Sequence, residues 1–115
     1  MVYNTASGWV VIYGDKRAEK EVGKLADDVR ADFLRIVDMV EQYGLEQVHE
    51  PYVKHLQGKL WEMRMRGRDG IGRAAYVAAQ GKRVVVLHAF IKKTQKTPVE
   101  AIDLALKRAK ELGFI

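Results

Sequence analysis

The hydrophobic positions change period several times along the chain. GWVVIY (8–13) is a nearly continuous apolar run stopped by Gly14-Asp15, which predicts a first strand. Beyond it Ala18, Val22 and Leu25 follow helical spacing, with Asp15 placed to cap a short helix and Gly23 weakening its end. A second helix starts at Asp27 or Asp28, carries Val29, Phe33, Ile36, Val37 and Val40 on one stripe, and stops at Gly44. Two helices packed as a hairpin are predicted. Residues 45–59 show no period, contain Pro51 and Gly58 as breakers, and read as irregular.

Three strands are expected next. LWEMRMR (60–66) alternates, with Trp61, Met63 and Met65 on one face and Glu62, Arg64 and Arg66 on the other. GRDG (67–70) turns the chain into IGRAAYVAA (71–79), and QGK (80–82) turns it into RVVVLHAFI (83–91). The last run is apolar on both faces, which predicts a central strand. Thr97-Pro98-Val99-Glu100 reads as a capping box: Thr97 at the N-cap, Pro98 at the first helical position, Glu100 reaching back. Ile102, Ala105, Leu106, Ala109 and Leu112 form the stripe of that C-terminal helix. The predicted order is β-α-α-β-β-β-α, an α+β domain with helices on one side of a mostly antiparallel twisted sheet. No repeat or linker interrupts it, so residues 1–115 read as a single domain.

Composition narrows the chemistry. The chain has 115 residues, 48% of them hydrophobic, which is enough for one real core. It contains no cysteine, which excludes disulfides, thiolate metal sites and a cysteine nucleophile, and fits a reducing compartment. Its apolar runs are too short for a membrane span, and a cytoplasmic protein without membrane contact is expected. Charge is unevenly spread. Between Tyr52 and Lys96 lie eleven Lys/Arg and two acids (Glu62 and Asp69), while the rest of the chain holds nine bases against thirteen acids. A basic segment inside an acidic chain points to a polyanion-binding surface. The plainer alternative is a sheet whose polar edges use Lys and Arg to block aggregation.

Three stretches carry a resemblance: PYVKHLQGKLWEMRMRG, GIGRAAYV, and VVVLHAFIKKTQKTP followed by an acidic–basic helix. With them the sequence resembles the RelE/ParE toxin superfamily, and in particular its phage-derived, HigB-like branch, over nearly its whole length. The resemblance implies a RelE-like fold and, for many members, cleavage of messenger RNA in the ribosomal A site. It also implies a helix-turn-helix antitoxin of the HigA type as partner, with operator DNA contacted only through that antitoxin. Other members inhibit DNA gyrase without chemistry of their own, and some are inactive relics. A HigB-like enzyme needs no metal or cofactor, because the ribose 2′-hydroxyl is the nucleophile.

Such a site must align that hydroxyl, neutralise charge on the phosphoryl oxygens and move protons. Arg64 and Arg66 leave one face of one strand, and Arg73 lies on the next strand just past a tight turn. Arg64 and Arg73 match basic positions of the RelE-like pattern. His88 and Lys92 share a face of the following strand, with Lys93 and Lys96 in its exit loop. Arg64, Arg73, His88 and Lys92 are the candidate catalytic residues. Arg66, Tyr76, Lys93, Lys96 and His55 are candidate RNA contacts, Tyr76 as a base-stacking ring or proton donor. Each has a structural alternative: His88 as a hydrogen-bonded core residue, Tyr76 as packing, His55 as part of a polar loop. Trp61, Met63 and Met65 read as core, with base stacking the lesser reading for Trp61. The chain departs from the RelE pattern at Glu62, where a basic residue is common, and lacks a tyrosine in the last helix.

Overall fold

The β-forming runs assemble as one five-stranded sheet in the computed structural model, which describes residues 5–92 and 94–115. Its strands are β1 (Val10–Tyr13), β2 (Val53–Gln57), β3 (Leu60–Gly67), β4 (Gly70–Ala79) and β5 (Arg83–Lys92), in the order β1-β5-β4-β3-β2. The helices are α1 (Lys16–Gly23), α2 (Asp27–Tyr43) and α3 (Val99–Glu111). β2 through β5 form an antiparallel meander, as short turns require. β1 joins its other edge parallel to β5, from Val10↔Arg83 to Tyr13↔Val86. The intervening helices make that parallel pairing possible by carrying the chain back across the sheet.

Two expectations change. Residues 45–59 are not irregular throughout, since VKHLQ forms β2 and Gly58, at φ +54°, turns the chain into β3. Of this edge strand, Val53 is buried while Lys54, His55 and Gln57 are exposed, and the register shifts between His55 and Gln57. Such a strand has almost no hydrophobic period to read. The helices also do not share one side. Val22, Val29, Phe33 and Ile36 of α1 and α2 pack on Met63, Met65, Tyr76 and Val86, whereas Ala105 and Ala109 of α3 pack on Leu60, Val77, Val85 and Leu87. A strand apolar on both faces needs cover on both, at roughly 1.5–3 kcal/mol for each large side chain removed from water.

Close approach of α2 to the sheet depends on glycine. A Cβ at Gly67 or Gly72 would collide with the methyl groups of Val29, so the two strands present bare backbone where α2 enters. Three sheet edges are then tied to the helices by carboxylates. The amides of Arg66 and Arg68 donate to Asp32 (2.8 Å) and Asp28 (2.7 Å), where β3 extends past β2. The amide of Val11 on β1 donates to Glu41 (3.0 Å). The amide of Ala89, where β5 extends past β1, donates to Glu21 (3.2 Å).

Gly72→Ala is expected to cost about 1–3 kcal/mol by overpacking. Adding Val29→Ala should return part of that loss. Denaturant unfolding of the four variants in the cycle should give a coupling energy of at least ~1 kcal/mol, and additive costs would show that the contact is not limiting.

Candidate nucleic-acid interface

Alternation along β3 sends Glu62, Arg64 and Arg66 to the α3 side of the sheet, and the β3–β4 register sets Arg64 directly opposite Arg73. Glu62 and Arg73 are both fully buried. Glu62 Oε2 accepts from Arg64 Nε (2.8 Å) and Arg73 Nη1 (3.1 Å), while Oε1 accepts from the Thr97 hydroxyl (2.5 Å). Arg73 Nη1 also donates to Thr97 Oγ1 (2.6 Å), and Nη2 donates to the carbonyls of Thr94 (2.9 Å) and Gln95 (2.6 Å). Burial pushes the Arg73 pKa down, with the Glu62 charge opposing, and an arginine stays protonated under either influence. Arg73 is thus a clamp that fixes the loop before α3. It is closed off from any ligand.

Thr97 is part of that clamp and does not cap α3. The N-cap is Pro98 without a side-chain hydrogen bond, because the Thr97 hydroxyl is held between Arg73 and Glu62. The threonine that resembles a capping residue in sequence is a bridge in the fold.

Arg64 is different. Its side chain keeps 21% of its exposure, and Nη2 donates to the Gln95 carbonyl (3.1 Å). Among the described residues nothing accepts from its Nη1. Arg64 lines a cleft of about 380 Å³ with Lys54, His55, Gln95, Lys96 and Ile102. Three cations therefore border one hollow, with the His55 ring turned to the other face against Trp61, and the buried Glu62 charge beneath the hollow is already matched by Arg73. His55 Nε2 lies 2.8 Å from the Gly58 carbonyl, which can only accept, so Nε2 carries the proton and the neutral ring keeps its lone pair on Nδ1.

The other predicted residues divide by position. Arg66 and Lys92 pair across Ile71 in the next row, two residues further along each strand, so they extend the basic track without lining the cleft. Lys93 lies outside the described residues. Tyr76 is buried in the core on the opposite face, where burial pushes its hydroxyl pKa up, and it does not join the basic face. His88 belongs to a separate cluster, with Nδ1 3.0 Å from Glu21 Oε1 and its ring stacked on Phe90 at 4.8 Å. Glu21 also receives both Arg108 Nη groups (2.8 and 3.0 Å), and Arg108 donates to the Leu87 carbonyl. This cluster joins α1, β5 and α3, so His88 takes the hydrogen-bonded structural role. Burial raises the Glu21 pKa, but bonds from Arg108, His88 and the Ala89 amide outweigh it and leave the carboxyl below its usual range.

Sequence reasoning passed over Lys54, Gln95 and Arg108. Lys54 sits in the stretch read as irregular, and Gln95 acts through its backbone. Arg108 lies in a helix whose other charges are mostly exposed. Glu62 did carry a signal: it is a lone acid between apolar residues in a strongly basic segment, the pattern of a buried partner to arginine.

This arrangement of sheet, helical hairpin and C-terminal helix is the RelE fold. A chain of the "archaeal RelE-RelB complex from Pyrococcus horikoshii OT3" is similar with a TM-score of 0.54 and 22% identity, over 77% of this chain and 99% of that chain. Residues 20–110 match the model of the family described as "Phage derived protein Gp49-like (DUF891)", and the chain belongs to that family, one of the RelE/HigB type. No curated protein matches the sequence.

Two outcomes are expected. Arg73→Ala should destabilise the protein by about 3–5 kcal/mol, since it strands a buried Glu62 charge, whereas Arg64→Ala should cost about 1–2 kcal/mol. Equal melting temperatures for the two variants would contradict the clamp. Because the Glu21 pKa is depressed on folding, its contribution is complete near neutral pH and is lost as pH falls through and below the ordinary carboxylate range. Glu21→Gln should flatten the stability–pH curve between about pH 5 and pH 3, measured by urea unfolding.

Proposed function

We propose that this protein is the toxin of a toxin–antitoxin pair and that it cleaves translated messenger RNA on the ribosome without a metal. The observation that carries this reading is the cleft bordered by Arg64, Lys54 and Lys96 on the face of a RelE-type sheet. Arg64 has a guanidinium oriented by Glu62 and Gln95, so it meets a phosphate with little reorganisation. Lys54 and Lys96 add charge with less direction. The ribose 2′-hydroxyl gives up its proton to solvent as its oxygen attacks the adjacent phosphorus. The P–O5′ bond breaks and the leaving oxygen takes up a proton, giving a 2′,3′-cyclic phosphate and a 5′-hydroxyl end. Arg66 and Lys92 continue the track for flanking phosphates.

The partner in this reading is an antitoxin of the HigA-like helix-turn-helix class, through which alone operator DNA would be contacted. The similar archaeal chain is described in complex with RelB, which supports an antitoxin as the kind of partner.

Arg64→Ala should slow cleavage of ribosome-bound message by about 10²–10³-fold, the usual effect of losing one charge-stabilising donor, while the fold persists. Toeprinting on translating ribosomes measures this, beside a DNA supercoiling assay. Cleavage at the wild-type rate by Arg64→Ala would remove the site assignment. Inhibition of supercoiling with the message left intact would replace the reading with gyrase inhibition.

A further inference from the structure

The edge strand β2 separates two hollows that share residues. On one side lies the basic cleft; on the other is a larger pocket of about 980 Å³ beside the end of α2. Lys54 and His55 line both. The second pocket is lined by Trp9 and Trp61, with Tyr76 buried beneath them and His49 and Lys59 at its border. Trp61 departs from its neighbours on β3. Met63 and Met65 on the same face are fully buried, yet Trp61 is 39% exposed. Its ring is steadied edge-on by His55, its cross-strand partner, with centroids 5.1 Å apart. Of the pocket's two acids, Glu46 is engaged by the Trp9 indole N–H (3.1 Å).

We infer that this pocket is a nucleobase subsite, and that an RNA strand crosses the β2 edge with phosphate on the Arg64 side and an unstacked base against Trp61. The inference rests on the RNA reading of the cleft and adds to it. Three features favour a base over a protein side chain as occupant. Flat aromatic walls match the π-face that every base presents, and stacking is how proteins hold single-stranded RNA. Lys54 and Lys59 stand at the pocket beside Glu46 and Glu50, and Lys54 also lines the basic cleft, where a phosphodiester enters. The two hollows are also adjacent, since Lys54 and His55 of β2 line both. Because stacking tolerates any base, the pocket supplies grip and register more than sequence choice.

The test compares a short single-stranded RNA with an oligonucleotide of the same length and phosphate number in which the central nucleotides are abasic. Binding is followed by quenching of tryptophan fluorescence, which reports the pocket because both tryptophans of the chain, Trp9 and Trp61, line it. The wild-type protein should bind the intact strand about 5- to 100-fold more tightly than the abasic one. Trp61→Leu should erase that ratio and Trp61→Phe should keep most of it, while Arg64→Ala should weaken both strands and preserve the ratio. Equal, salt-dependent binding of the two strands by the wild type overturns the subsite and leaves the RNA reading standing. Cleavage on the ribosome without detectable binding of either strand does the same. Failure to bind either strand together with no cleavage overturns both. Quenching by a purified antitoxin but not by RNA overturns the subsite in favour of a protein side chain.

Discussion

The structure turns on a carboxylate taken entirely out of water. An isolated buried charge costs several kcal/mol, so Glu62 is compatible with folding only because Arg73, Arg64 and Thr97 answer its oxygens. Each partner brings a piece of the site. Arg73 reaches on to the carbonyls of Thr94 and Gln95 and so fixes the loop that carries Lys96 and leads into α3. Arg64 is left at the edge of the network, charged, oriented and partly exposed. Two guanidinium groups on one carboxylate leave one positive charge uncompensated, and it lies toward the cleft. The resulting division of labour is between one arginine that builds and one that is free to bind.

The uneven charge of the chain has a matching explanation. Glu21, Asp28, Asp32 and Glu41 all belong to α1 and α2, and each accepts a backbone amide from the sheet, at a strand edge or, for Asp28, in the β3–β4 turn. Four of the thirteen acids outside the basic segment therefore serve to seat the helical layer on the sheet. Within the segment, Arg73 is absorbed by Glu62, whereas Lys54, Arg64, Arg66 and Lys96 remain at the surface of the α3 side. Charge segregation in sequence becomes segregation by layer, with anions in the tethers and cations on the face.

Elements with a strong period were legible before folding. The α2 stripe, the alternation of β3 and the doubly apolar β5 all follow from residue order, and so does the meander. β2 was not, because an edge strand with one buried residue and a register shift leaves no alternation to detect. The parallel seat of β1 depends on where two helices return the chain, which no local pattern states. At the site, sharing of a face by Arg64 and Arg66 could be read from spacing. The burial of Arg73 could not, since the same arginine on the same strand is a ligand or a clamp according to what the loop from 94 to 97 does above it. Thr97 shows the limit of motif reading: its hydroxyl is claimed by a stronger, charged pair.

The helix-borne carboxylates also govern how one folded copy meets another. A strand rim with unanswered amides is a template on which a second chain can lay its own backbone, and repetition of that pairing builds fibrils. Here an amide at each of three such rims is already occupied by an oxygen that carries negative charge. A visiting strand would have to displace that oxygen and tolerate its charge nearby. The tethers that hold the helices down thus also act as guards against stacking, so the open polar cleft can remain the inviting surface of the molecule.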